Sequence, residues 1–157
     1  MTDTDFMKIV IKKGKDRLDR GESPILSIIV KDDKIISEGH SSVANFEISG
    51  HNDSNAINQA CKKLKIYNLD GCTMYSTVEP CSMCLSCAAW AGLTKIVFGS
   101  FQEDIPNNLY EITDYHAVDH AKILRLSNGK KMEIIGGVLQ QESTDLMKNV
   151  KNWVLSE

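Results

Sequence analysis

The sequence predicts an α/β fold of three layers, in which a mixed sheet of about five strands is sandwiched between helices. Five short β-rich runs, Ile25 to Val30, Lys34 to Ser37, Cys72 to Val78, Lys95 to Phe98 and Met132 to Ile135, alternate with stretches of helical period. The first two runs are close enough for an antiparallel hairpin. A helix-length segment separates the third from the fourth, so that pair can be parallel. Elements that alternate in this way are expected to stack helices on both faces of a sheet.

The first helix is expected from about Asp5 to Arg20, where Phe6, Ile9, Val10, Lys13 and Leu18 form an imperfect helical stripe among charges. Asp32-Asp33 reads as a two-residue hairpin turn between the first two strands. Gly39 to Gly50 is rich in small and polar residues and keeps no period, which predicts a loop. A second helix begins near His51, with Ala56, Ile57, Ala60 and Leu64 inward and Asn55 and Asn58 on a polar side. Asp70-Gly71 turns the chain into the third strand, and Glu79-Pro80 stops that strand because proline cannot extend a ladder. The third helix should run from Cys81 to Trp90 and end at Gly92. Ser100 to Asn128 is weakly helical at its centre, and Asn128-Gly129 marks a turn before the fifth strand. Leu139, Leu146, Met147, Val150, Trp153 and Val154 share one side of a closing helix.

A chain of 157 residues suits one domain, 1–157, with its own core. Hydrophobic residues make up 42% and charged residues 25%, ordinary values for a soluble protein, and no apolar run reaches membrane-spanning length. The polar, acidic N-terminus lacks the order of a secretory signal, which favours the cytoplasm. Three of the five cysteines crowd into positions 81 to 87, a spacing that suits reduced thiols and a metal better than a disulfide framework. A net charge of -3 gives no general attraction for phosphate backbones and argues for a small substrate.

Pro80-Cys81-Ser82-Met83-Cys84 sets two thiols three apart at a strand-to-helix junction, so both lie on one face of the first helical turn and can reach one ion. The helix N-terminus favours their thiolate forms. Alone, this spacing is shared with redox pairs and zinc knuckles. Thirty residues upstream, His51-Asn52-Asp53 adds an imidazole and a carboxylate at another helix start. Three protein ligands of mixed nitrogen and sulfur, His51, Cys81 and Cys84, leave a fourth tetrahedral position for water, as catalytic zinc sites do. The carboxylate of Asp53 is then placed to move that water's proton.

The two halves, HND and PCSMC, resemble the H-x-E and P-C-x-x-C signature of zinc-dependent deaminases. The similarity extends from His51 to Gly99: NAINQACKKL, DGCTMYSTVEPCSMC and KIVFGS are similar to the helix, strand, helix and strand of guanine, cytosine and tRNA adenosine deaminases. EIIGGVLQQE resembles the late strand and helix entry of that branch. The resemblance to the cytidine deaminase-like superfamily implies a Zn2+ cofactor, a homodimer and hydrolytic deamination of a nucleobase, nucleoside or related aminated heterocycle, with Asp53 as proton carrier. It also keeps a tRNA substrate open as the alternative.

Two positions depart from that pattern. Asp53 stands where the signature has Glu, a carboxylate shorter by about 1.5 Å of reach, so a weakened catalyst or a zinc-binding scaffold is the further alternative. The substrate-contacting Asn that relatives carry after the hairpin is replaced by Gly39-His40-Ser41, and Asn45, later in the same loop, is the candidate substitute. Cys61, Cys72 and Cys87 are expected as small apolar packers. Trp90, Trp153 and Tyr75 are expected in the core and not as stacking platforms.

Overall fold

The computed structural model describes residues 1–105 and 116–150. Its elements run α1 (Asp3–Asp19), β1 (Leu26–Lys31), β2 (Lys34–His40), α2 (Asn52–Leu64), β3 (Thr73–Val78), α3 (Ser82–Trp90), β4 (Lys95–Ser100), α4 (Ala117–Ile123), β5 (Glu133–Ile135) and α5 (Gln140–Lys148). Short 3-10 turns occupy Val43–Asn45 and Gln102–Asp104. The five strands form a mixed sheet in the order β2-β1-β3-β4-β5. β1 runs antiparallel to β2 and β3, while β3, β4 and β5 run parallel. Helices cover both faces, so the fold class expected from the sequence is the one observed.

Local chemistry fixes the ends of these elements. Thr2 caps α1: its hydroxyl accepts from the Asp5 N–H at 3.2 Å, and the Asp5 carboxylate accepts from the Thr2 N–H at 2.9 Å. Asp32 and Asp33 both take left-handed backbone, with φ of 48° and 57°, the geometry a two-residue hairpin turn requires. Alternation along β1 then sends Leu26, Ile28 and Val30 to one face, where they meet Phe6, Met7 and Val10 of α1. The Tyr75 ring joins them, its centroid 5.0 Å from that of Phe6. On the other face Ile29, Met74, Ile96 and Phe98 pack against Ala56, Ile57 and Ala60 of α2 and Leu85 and Ala88 of α3.

Gly39 brings β2 and α2 together. A Cβ there would stand 2.1 Å from the Asn52 carbonyl oxygen and 2.3 Å from the Ala56 nitrogen, so only glycine allows this approach. Among the described residues no helix is long and apolar enough to cross a membrane.

The differences from expectation are informative. Trp90, expected in the core, is 82% exposed. The buried side of α3 is Cys84, Leu85, Ala88 and Ala89, and Trp90 follows Ser82 and Ser86 onto the other side. The segment read as weakly helical contains α4, whose Ala117 enters the larger core. The closing helix is shorter than expected and buries Leu146 and Met147; Trp153 and Val154 lie outside the described residues.

Candidate active site

Two helix N-termini meet above Ser27, near the start of β1, and Ser76, near the end of β3. His51 is the N-cap of α2 and Cys81 the N-cap of α3, both in extended backbone before the first helical turn. Cys84 lies three residues further along, just short of a full turn of α3, so its thiol returns to the Cys81 side. The sulfurs of Cys81 and Cys84 are 3.6 Å apart, and Cys81 Sγ is 3.5 Å from His51 Nδ1. All three donor atoms lie within 4.8 Å of one another.

These separations fit a metal. Zinc bonds of about 2.3 Å to sulfur and 2.0–2.1 Å to nitrogen, at tetrahedral angles, give edges of about 3.8 Å between sulfurs and about 3.6 Å between sulfur and nitrogen. The cysteines are free thiols, not a disulfide. The hydrogen bond from Cys84 and the neighbouring His51 hold the Cys81 thiol well below its ordinary pKa, while Cys84 is pushed up and keeps the proton the pair shares. His51 is raised in turn by its hydrogen bond to Cys81, against the opposing effect of burial. A cation would replace that shared proton, and His51, Cys81 and Cys84 could hold it.

Asp53, the second residue of α2, is 3% exposed and points into a buried polar knot. Its Oδ1 accepts hydrogen bonds from the Ser27 hydroxyl and, at 3.0 Å, from Asn52 Nδ2. Asn52 Nδ2 also donates to Ser27 Oγ at 2.7 Å, and Ser27 Oγ lies 3.0 Å from Ser76 Oγ. Ser27 and Ser76 are fully buried cross-strand partners. Burial pushes the Asp53 carboxyl up to about 6, with the Ser27 hydrogen bond opposing the rise.

Asn55, which the sequence placed on the polar side of α2, fastens the preceding loop. Its Nδ2 reaches the carbonyl oxygens of His40 at 2.7 Å and Gly50 at 3.2 Å, and Ser42 Oγ at 3.1 Å. Asn45 lies in the loop so closed, exposed at the end of a 3-10 turn whose backbone N–H bonds to the Ser42 carbonyl at 2.9 Å. Glu79, immediately before Pro80-Cys81, is 1% exposed and accepts from the backbone N–H groups of Gln102 at 3.0 Å and Ala117 at 2.7 Å. Cys72 is buried, and Cys61 and Cys87 pack half-buried against the main core.

A family model described as MafB19-like deaminase matches residues 1–143. The chain belongs to the MafB19-like deaminase family. This deaminase is 31% identical over 118 residues to the tRNA-specific adenosine deaminase of Aquifex aeolicus, covering 73% of this chain and 78% of that protein. It is 38% identical over 82 residues to the guanine deaminase of Bacillus subtilis, covering 52% and 53% of the two chains. A solved guanine deaminase from Nitrosomonas europaea shares the fold, with a TM-score of 0.76 at 18% identity over 92% of this chain and 81% of that one.

Of the residues singled out in the sequence, His51, Cys81, Cys84 and Asp53 converge, and Asn45 stands on the adjoining loop. The partners of Asp53 were missed. Ser27 and Ser76 sit on the sheet face that elsewhere carries Ile29 and Met74, and a serine in an apolar strand position was the signal available.

Proposed function

We propose that this MafB19-like deaminase removes an exocyclic amine hydrolytically from a nucleobase, nucleoside or related aminated heterocycle. His51, Cys81 and Cys84 would hold a zinc ion, and Asp53 would carry the proton. The observation that carries this proposal is the convergence of a one-imidazole, two-thiol donor set with a buried carboxylate two residues from one of its members. When bound, zinc supplies Lewis acidity that makes water a nucleophile near neutral pH. Asp53, a buried carboxyl two residues from His51, is the group that would accept and return a proton there. Asp53 takes the proton of the attacking water and delivers it to the departing nitrogen, which leaves as ammonia. Asn45, exposed on the loop fastened by Asn55, is the residue we propose for contact with the substrate.

A small substrate is favoured by the net charge of -3, which gives little attraction for a polyanion. The second reading, deamination of adenosine in tRNA, is favoured by the likeness to the Aquifex aeolicus enzyme. The zinc-loaded protein, incubated separately with aminated purines and pyrimidines, their nucleosides and tRNA, distinguishes the two. Turnover of a free heterocycle supports the first; turnover confined to tRNA, weakening steeply with salt, overturns it.

The free cysteines suit a reducing compartment such as the cytoplasm. Trp90 on α3 and Ile123 on α4, both exposed on helices packed together, suit a homodimer contact. We read residues 1–157 as one deaminase domain.

A further inference from the structure

We infer that Ser27 is a positioning residue for Asp53, and that the pair is matched in size: the Ser27 hydroxyl fixes a carboxylate of aspartate length and leaves no room for a longer one. The inference rests on the proposed deaminase chemistry for its catalytic consequence, and on the geometry alone for the match.

The two strand serines are the first evidence. Ser27 and Ser76 face each other across β1 and β3 with no exposed surface, one step along from the Ile29 and Met74 pair on the same face. A buried hydroxyl is costly unless it is hydrogen-bonded, and an alanine would pack there without that cost. These hydroxyls therefore serve a partner, and the partner is Asp53.

The second is which oxygen is held. Both Ser27 Oγ and Asn52 Nδ2 donate to Oδ1 of Asp53. Two donors on one oxygen fix the rotation of the carboxylate and with it the direction of Oδ2. Asn52 reaches Ser27 as well, at 2.7 Å, so serine, amide and carboxylate hold one another. Removing the serine hydroxyl frees the carboxylate to turn while leaving His51, Cys81 and Cys84 where they are.

The third is reach. Oδ1 already touches the Ser27 hydroxyl. One further methylene, about 1.5 Å, would drive the carboxylate into it. Glutamate extended along the same line therefore fits only if the serine is shortened.

Four proteins test the match: the parent, Ser27→Ala, Asp53→Glu and the double variant, each zinc-loaded and assayed on a substrate the parent turns over. Ser27→Ala is expected to lower kcat about 10- to 100-fold with KM within about twofold, the scale of a misplaced catalytic group. Asp53→Glu is expected to be similarly impaired, and adding Ser27→Ala to it is expected to raise kcat at least tenfold. The same change is thus harmful beside aspartate and helpful beside glutamate, which a structural role for Ser27 does not produce. Equal kcat losses for Ser27→Ala in both backgrounds overturn the inference.

If the parent turns over no substrate, the deaminase proposal fails, and the match is read separately from urea unfolding of the metal-free parent, Ser27→Ala, Asp53→Ala and their double variant. The unfolding constants are expected to be non-additive by about tenfold. Additivity removes the Ser27 to Asp53 coupling and with it the inference.

Discussion

His51 Nδ1 and Cys81 Sγ lie 3.5 Å apart although 30 residues separate them in the chain. Each stands at a helix N-terminus, and Cys84 completes the donor set. A divalent ion that bridges them ties α2 to α3. Zinc at about 1,000 times its dissociation constant is expected to stabilise the protein by about 4 kcal/mol, read as a rise in melting temperature. Cys81→Ala is expected to abolish that rise. Because Cys84 holds its proton in the metal-free protein, binding near neutral pH releases at least one proton. Calorimetry in buffers of different ionisation enthalpy measures that release; none would mean that Cys84 does not ligate.

The carboxylate of Asp53 is kept at a cost to the fold. Its pKa is raised from 3.8 to about 6, so the folded metal-free protein binds this proton more tightly than the unfolded chain does. Stability from this group is therefore fully present below about pH 4 and lost as pH rises through about 6, a difference of about 3 kcal/mol. Asp53→Asn is expected to be more stable than the parent at pH 7 by about that amount, and equal to it near pH 3.5. Urea unfolding of metal-free protein at both pH values checks this, and an equal difference at the two would show that Asp53 does not titrate in this way.

Glu79 joins the strand-to-helix junction to the segment that begins α4. Its carboxylate accepts from Gln102 N–H and Ala117 N–H and pairs with His116. Glu79→Ala removes the carboxylate that accepts from the Gln102 and Ala117 N–H groups and is expected to cost about 3–5 kcal/mol. Glu79→Gln keeps an acceptor and is expected to cost less. Chemical denaturation of the two variants ranks them, and equal losses would show that the acceptor is unimportant.

Gly39 sets the distance between β2 and the ligand-bearing end of α2. A methyl group there meets backbone atoms of Asn52 and Ala56, which cannot give way as a side chain can. Gly39→Ala is expected to cost more than about 3 kcal/mol, or to displace α2 and weaken metal binding. Melting temperature and zinc affinity, measured together, register either outcome; neither changing would contradict the close approach.

Much of this was legible in the sequence because it is local. Ala56, Ile57 and Ala60 announced α2 by spacing, and the Cys81 and Cys84 pair announced itself by falling three apart after a proline. The Ser27 and Ser76 pair was not legible, since it depends on the register of β1 against β3 across 49 residues. Trp90 was misplaced because Ser82 to Trp90 carries no charged residue, and only Ser82 and Ser86, at the spacing that leads to Trp90, marked the side that meets solvent. Asp53 was visible as a departure from a motif, but what accommodates it lies on other elements.

Ammonia release by the zinc-loaded parent and by Asp53→Ala, with zinc content determined on the same samples, tests the proposed chemistry most directly. One zinc in each protein, with ammonia released from an aminated heterocycle by the parent alone, is the predicted result. Equal release by both would contradict the assignment of Asp53 as the proton carrier, and none by a parent that holds its zinc would leave a metal-binding scaffold.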